Sequence, residues 1–337
     1  MEKNQENIGI QRWVAGIAVV LFLLKLAAYY LTQSVAVLTD ALESTVNVIA
    51  GFIALYSLYV AAKPSDDDHP YGHGKAEFLS AAVEGALVVM AGLIIVYEAI
   101  VDLIHPHALQ KLDSGIYIVG FTAIVNFIVG AFIIRKGRQN NSMALQAGGR
   151  HLQSDTYSTI GIIVGLVLIR YTGLVWLDGV VSMIFAGIIL YTGYHILRRS
   201  VAGIMDEADV QLLQEMISYA NAHRRQNWID LHNLRVIKYG GLLHVDCHLT
   251  VPWYLNVVEA HQEIDTFTAL MRSRFGESME FFVHTDPCLD FSCRICQKES
   301  CTVRKHAFET RVEWNLSNVS ANKKHTSPLA IPVPSPL

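Results

Sequence analysis

Six long apolar stretches constrain this chain more than any other feature of its sequence. They run approximately over residues 11–31, 35–61, 78–104, 114–134, 153–171 and 177–197. A helix of roughly 20 apolar residues crosses the hydrocarbon core of a bilayer, and each stretch is about that long or longer. Apolar residues form 52% of the chain and charged residues only 17%, which is untypical of a soluble enzyme. The sequence therefore predicts a six-helix transmembrane domain over residues 11–205, preceded by a short N-terminus of residues 1–10.

The distribution of lysine and arginine predicts the orientation of these helices. With six helices threaded through a bilayer, the short loops on one side hold most of the basic residues, and the other side has only Lys111 and Arg170. The positive-inside rule places the basic side in the cytoplasm. We therefore expect a multi-pass protein of the inner or plasma membrane with both termini cytoplasmic. The net charge of -4 and the lack of a basic patch argue against a nucleic-acid partner.

Polar residues interrupt two of the apolar stretches at helical spacing. Asp40, Glu43 and Asn47 lie on one face of the second stretch, and His151 and Asp155 lie one turn apart at the start of the fifth. Ionisable groups inside a membrane are rare because each costs about 2.5–3.5 kcal/mol on insertion scales, so they mark an ion path or a buried hydrogen-bonded cluster. Glu43 and Asn47 on one helix and His151 and Asp155 on a facing helix would supply the four ligands of a tetrahedral metal ion. Asp40 could supply a further carboxylate.

Two other features of the predicted membrane domain involve charged residues. Lys25 lies within the first stretch, where we expect it either to snorkel or to pair with an acidic neighbour. The loop between the second and third stretches reads SDDDHPYGHGK over residues 65–75, with three carboxylates and two histidines. Gly72 and Gly74 permit tight turns around them. This composition predicts a metal-attracting cluster, and the alternative is a solvated acidic loop.

After about residue 206 the pattern becomes that of a soluble domain. Apolar periodicity predicts a helix, two strands joined at Tyr239–Gly241, a second helix and a third strand. This αββαβ order predicts a small α+β, ferredoxin-like domain over residues 206–287, open-faced and dimeric. His244, Asp246 and His248 alternate with apolar residues, so their side chains share one strand face.

Four of the five cysteines are concentrated in residues 288–306. They are Cys288, Cys293, Cys296 and Cys301. The central Cys-x2-Cys pair predicts a structural zinc site, with an iron–sulfur cluster or unliganded thiols as alternatives. Residues 315–337 are rich in serine, proline and asparagine and are predicted to form a disordered tail.

Several of these motifs occur together in one known family. The chain resembles the cation diffusion facilitator family of metal/proton antiporters over about residues 10–290. The resemblance lies in the sequences SVAVLTDALEST, DDDHPYGHGKAE and HLQSD and in the αββαβ domain that follows them. The resemblance implies a Y-shaped homodimer that exports divalent cations from the cytoplasm against inward proton flow. It also implies a transport site between the second and fifth spans.

The resemblance implies three sets of metal ligands. The transport site maps to Glu43, Asn47, His151 and Asp155. The loop site maps to Asp66, His69 and His73. The metal positions of the soluble domain map to His232, His248, His261, His284 and Asp286.

The second span departs from the family pattern, and the departure bears on the metal. Family members commonly have Asp or His followed four residues later by Asp, where this chain has Glu43 and Asn47. A neutral amide supplies no charge to a cation. We expect zinc or iron as the substrate, with manganese and cobalt as the other candidates, and His151 and Asp155 as the proton-exchanging groups. The alternative function is a membrane-bound metal sensor or scaffold with a degenerate transport site.

Overall fold

The computed structural model describes residues 2–105, 109–139, 143–239, 242–277 and 279–327. The chain divides into two compact units, one of Met1–Val60 with Glu77–Val201 and the other of Ala61–Ala76 with Ala202–Leu337. The loop between the second and third helices thus groups with the second unit, whereas the sequence analysis assigns it to the helical domain. Gly240 and Gly241 of the predicted hairpin turn lie outside the described residues.

The first unit consists of helices that are long and apolar enough to cross a membrane, which confirms the predicted six-span architecture. Helices α1 and α5 begin about ten residues before the predicted apolar stretches, because polar residues continue both helices beyond the apolar run. The helices are α1 (Glu2–Thr32), α2 (Val35–Ala61), α3 (Ala76–Ile104), α4 (Leu112–Gln139), α5 (Met143–Thr172) and α6 (Leu177–Ile204).

Helices α1, α2, α4 and α5 share one buried core, and α3 packs against α6 in another. Helices α4 and α5 approach each other closely where a Cβ added to Gly130 would lie 2.8 Å from the carbonyl oxygen of Gly149. Small residues allow the backbones of membrane helices to approach in this way. The polar face of α2 and the start of α5 therefore belong to the same helix group.

A carboxylate from α6 fixes the start of α2. Asp178 accepts hydrogen bonds from Ser34 Oγ at 2.7 Å and from the Val35 backbone N–H at 2.6 Å. All three groups are buried. Since the first N–H groups of a helix have no partner within it, Asp178 supplies one from a distant part of the chain.

The second unit has the αββαβ order that the sequence predicts. Strands β1 and β2 pair antiparallel, and β2 and β3 pair parallel. Trp228, Leu249 and Phe267 lie in the core between the sheet and the helices. The elements are α7 (Val210–Ala222), β1 (Asp230–Tyr239), β2 (Leu242–Val251), α8 (Val257–Phe275), β3 (Met279–Pro287), a 3-10 helix (Asp290–Arg294) and α9 (Leu316–Val319).

The C-terminal segment differs from the sequence prediction. Residues 315–327 are folded, so the predicted disorder is wrong for them, and residues 328–337 lie outside the described part of the chain. Trp314 and Val319 enter the core of the second unit, and the Asn233 N–H donates to the Ala321 carbonyl at 2.9 Å. Composition failed here because two well-placed apolar side chains can dock a segment whose average character is polar.

Candidate metal sites

A cavity among α1, α2, α4 and α5 holds three of the residues that the sequence predicts to bind the transported metal. Its polar lining consists of Ser44, Asn47, Asn126, His151 and Asp155, within otherwise apolar walls. Asn47 Nδ2 donates to Asp155 Oδ2 at 3.1 Å. The imidazole Nε2 of His151 lies 3.8 Å from the other carboxylate oxygen of Asp155. Asp155 is thus the centre of the cavity's polar groups.

Asp40 lies one turn before Ser44 in a network of its own. Its Oδ1 accepts from Lys25 Nζ at 2.8 Å and from Thr159 Oγ1 at 2.9 Å, while Lys25 Nζ also donates to Ser44 Oγ at 3.0 Å. Asp40 Oδ2 is buried and accepts no hydrogen bond from the described residues. Lys25 therefore forms an internal pair with an acidic neighbour, one of the two arrangements that the sequence suggests.

Glu43 is placed differently from the other predicted ligands. It is half-buried on α2 and does not belong to the cavity lining. Within the described ranges, no three carboxylate, imidazole or thiolate ligand atoms of the first unit lie within 4.8 Å of one another. Sequence reasoning also missed Ser44 and Asn126, which give no signal in an apolar helix beyond their polarity.

The predicted loop site does bring its three residues together. His69 Nδ1 lies 3.0 Å from Asp66 Oδ1, and His73 Nε2 lies 3.4 Å from Asp66 Oδ2. Desolvation raises the pKa of Asp66, but hydrogen bonds from His69 and the nearby imidazoles outweigh it and leave the pKa below its usual value. Gly72 has φ +82°, a backbone conformation that residues with a side chain rarely adopt. Its backbone N–H donates to the His69 carbonyl oxygen. The loop thus presents a carboxylate and two imidazoles to one point.

A second cluster lies across the sheet of the second unit. His232 Nε2 and His248 Nδ1 lie 3.3 and 3.4 Å from Asp286 Oδ2, and the ring of His284 packs on that of His248. The strand register pairs His232 with His248 and His248 with His284. Desolvation lowers the pKa of His248; Asp286 opposes this, and the neighbouring imidazoles add to the decrease. These surroundings therefore favour the neutral form of His248, which is the form that binds metals.

His261 is not part of this cluster. It is exposed on α8, with its Nε2 3.6 Å from Asp265 Oδ1. The structure therefore brings together His232, His248, His284 and Asp286, but leaves His261 on another surface of the unit.

Two residues of the C-terminal segment lie beside the cluster of His232, His248, His284 and Asp286, and the sequence does not predict their position there. Lys324 Nζ lies 3.4 Å from Asp286 Oδ1. The His325 imidazole and backbone N–H both contact Asp230, whose Oδ2 lies 3.4 Å from His232 Nδ1. These contacts are not expected because the composition of residues 315–337 predicts disorder.

The four cysteines after β3 line one small cavity together with Tyr254. All four are free thiols. Among the described residues, no three of their sulfur atoms lie within 4.8 Å of one another.

Comparisons with known proteins agree with this arrangement of domains. The chain matches the family models for a cation efflux transmembrane domain over residues 13–205 and a cation efflux protein cytoplasmic domain over residues 209–288. It is 33% identical to an uncharacterised transporter of Synechocystis over 79% of this chain and 86% of that protein. It is 28% identical to the cation-efflux pump FieF of Shewanella oneidensis, over 80% and 90% of the two chains. It is 26% identical to the manganese efflux system protein MneS of Bacillus subtilis, over 80% and 91%.

Proposed function

The chain belongs to the cation diffusion facilitator family, whose members are cation efflux transporters rather than enzymes, and we propose that it exports divalent metal ions from the cytoplasm in exchange for protons. The observation that carries the proposal is the cavity centred on Asp155, with Asn47 and His151 beside its carboxylate. An anionic carboxylate that is largely buried among membrane helices is costly unless it meets a cation or a proton. Such a group suits a cation path.

We assign Asp155, His151 and Asn47 as the first ligands of the transported ion. Asn47 now donates from its amide nitrogen to Asp155, and a rotation of the amide would present its oxygen to a metal. Asp40 would join them when its Oδ1 is released by Lys25, since its Oδ2 already lacks a hydrogen-bond donor among the described residues. Glu43 would have to turn toward the cavity, so it comes last in this set.

The donor set favours zinc or iron as the transported metal, with manganese and cobalt as the other candidates. An imidazole with carboxylates suits zinc, iron and cobalt, whereas carboxylate and amide oxygens suit manganese. One relative is named for manganese efflux, which supports keeping manganese among the four.

Proton coupling would follow from the same ligands. A metal displaces protons from the groups that bind it, so His151 and Asp155 would release protons on loading and take them up again after release. Alternating access of the helix groups would expose the cavity to one side of the membrane at a time. We place the protein in the inner or plasma membrane with both termini cytoplasmic, as a homodimer joined through the αββαβ domains.

The loop site and the sheet cluster of His232, His248, His284 and Asp286 would bind metal on the cytoplasmic side, outside the transport cavity. Asp66, His69 and His73 lie outside the spanning helices, so they could collect metal at the membrane surface. The cluster of His232, His248 and Asp286 would bind metal within the cytoplasmic domain.

Transport in proteoliposomes tests the proposal. Zinc, ferrous iron, manganese and cobalt are supplied in turn while luminal metal and pH are followed with separate dyes. Saturable metal uptake with opposite proton movement is expected, and Asp155→Ala should abolish both. Asp113→Ala is the matched control, because Asp113 is an exposed carboxylate paired with Arg170. Wild-type protein that binds metal without saturable flux would favour the sensor function instead.

A further inference from the structure

The cysteines after β3 occupy a part of the second unit that the transport function does not use. Cys288, Cys293, Cys296 and Cys301 line the same cavity although the chain between them is irregular. The only regular element within this stretch is the five-residue 3-10 helix over Asp290–Arg294. Their convergence is therefore a result of the tertiary fold.

Backbone donors are directed at two of the four sulfur atoms. The Trp253 N–H donates to Cys288 Sγ at 3.4 Å, and the Lys305 N–H donates to Cys293 Sγ at 3.5 Å. A hydrogen bond to sulfur favours the charged form of the thiol, and the thiolate is the form that binds metal. Groups of this kind orient metal ligands from outside the coordination sphere.

Arg304 holds the loop around the cavity. Its guanidinium donates to the carbonyl oxygens of Cys293, Cys296 and Lys298 at 2.8, 2.9 and 2.9 Å. The guanidinium and Lys298 both line the cavity. Four thiolates around a divalent metal carry two net negative charges, and these cations would offset them.

The four thiols lie around one cavity, so their thiolate forms would repel one another. Like charges around one cavity disfavour the thiolates unless a cation binds between them.

The segment also has little apolar packing to stabilise it. Its core consists of Ile229, Ile295 and Cys296, with Cys288 and Val312 packed against them. So small a core rarely holds an irregular segment, and a metal or a disulfide usually completes it. All four cysteines are free thiols.

We propose that Cys288, Cys293, Cys296 and Cys301 bind one zinc ion as a structural site. Zinc–sulfur bonds of about 2.3 Å require the sulfur atoms to lie roughly 3.8 Å apart in a tetrahedron. The four sulfurs would therefore move inward from their described positions, and Tyr254, which hydrogen-bonds with Cys301, would turn aside. The zinc site would link the end of strand β3 to the segment that leads to the C-terminal residues. It does not depend on the transport function.

Cobalt substitution of the full-length protein in detergent tests this site. Tetrahedral cobalt bound to thiolates gives sulfur-to-metal charge-transfer bands, which nitrogen and oxygen ligands do not produce. We expect these bands at one equivalent of cobalt per chain, with bleaching when zinc is added. The bands should persist in His248→Ala and Asp155→Ala, which alter the other candidate sites.

Cysteine variants supply the matched comparison. Cys293→Ser with Cys296→Ser should abolish the charge-transfer bands, whereas Cys247→Ala should keep them because Cys247 lies in the sheet core, apart from the cavity. The proposal is overturned if the wild-type protein gives no such bands, if it is isolated with iron and acid-labile sulfide, or if its four thiols are isolated as disulfides. A transporter that fails in proteoliposomes but shows the bands would disprove the transport function alone.

Discussion

Lys25 Nζ lies 2.8 Å from Asp40 Oδ1, with both side chains 1% exposed. The two residues come from α1 and α2, and Thr159 of α5 donates to the same carboxylate oxygen. A buried ion pair neutralises both charges where neither could exist alone at low energy. Among the described residues, Asp155 is the carboxylate that lines the cavity, and it contacts Asn47 and His151 rather than a lysine or an arginine.

Lys25→Met should destabilise the protein strongly, because it leaves the Asp40 carboxylate buried without its cation. Removal of one partner of a buried pair typically costs about 3–5 kcal/mol. Thermal unfolding in detergent should show a large loss, and the double variant Lys25→Met with Asp40→Asn should recover much of it. A double variant no more stable than Lys25→Met would contradict the pairing.

Asn47→Asp should increase metal affinity and make transport more sensitive to acid. The new carboxylate would lie about 3 Å from Asp155, so the pair would be relieved either by a metal or by a proton. Metal uptake should have a lower KM at neutral pH and should fall more steeply as pH decreases. Asn47→Ser, which removes the amide without adding charge, should raise KM; equal KM values for both variants would argue against Asn47 as a ligand.

Gly130→Ala should weaken the α4–α5 contact. The added Cβ would meet the Gly149 carbonyl oxygen at 2.8 Å, and such overpacking typically costs about 1–3 kcal/mol. Gly187→Ala is the matched control, because among the described residues outside its own turn of helix no heavy atom lies within 4 Å of the Cβ added there. The melting temperature should fall for Gly130→Ala and stay unchanged or rise for Gly187→Ala, whose alanine favours the helix.

Lys324→Gln should strengthen metal binding at the sheet cluster several-fold. The lysine ammonium lies 3.4 Å from Asp286 Oδ1 and competes with a metal for this carboxylate. Calorimetric titration compares the full-length Asp155→Ala protein with and without Lys324→Gln, so that the transport site is disabled in both and the loop and cysteine sites contribute equally to both. Lys323→Gln, at an exposed neighbouring position, should leave the affinity unchanged, and an equal effect of both substitutions would rule out the competition.

Acidification should destabilise the second unit through His248. The pKa of His248 is lowered in the folded state, mainly because burial removes the imidazole from water. The unfolded chain therefore binds a proton at His248 more readily than the folded chain does. The stability contributed by His248 is thus present above about pH 6.5, the usual histidine pKa, and is lost as pH falls below it. Metal-free protein should show this loss in thermal unfolding, and His248→Gln should reduce the pH slope. An unchanged slope would contradict the assignment.

Features that depend on local sequence are correctly predicted. Apolar runs of bilayer length predict each spanning helix, and the change from helical to alternating periodicity predicts the αββαβ order. The loop triad was also accessible, because Asp66, His69 and His73 lie within one turn-rich segment. Residues on one element share a face by geometry alone.

Contacts between residues that are distant along the chain are predicted less well. Spacing placed Glu43 with Asn47 on α2, but the cavity includes Asn47 and not Glu43. The average composition of the C-terminal segment predicts disorder, yet Trp314 and Val319 pack in the core and Lys324 reaches Asp286. His261 was grouped with the sheet histidines, although it lies on α8.

The sequence by itself determined that this chain has six spanning helices, a ferredoxin-like domain and ligand groups typical of metal transport. Only the tertiary structure decided that Lys25 neutralises Asp40, that Asp155 is the centre of the cavity's polar groups and that four cysteines converge on one space. The physical reason is that hydrophobic periodicity is a property of each segment alone. Pairing of buried polar groups depends on which segments meet, and in this chain the hydrogen-bonded residues Ser34 and Asp178 are 144 residues apart.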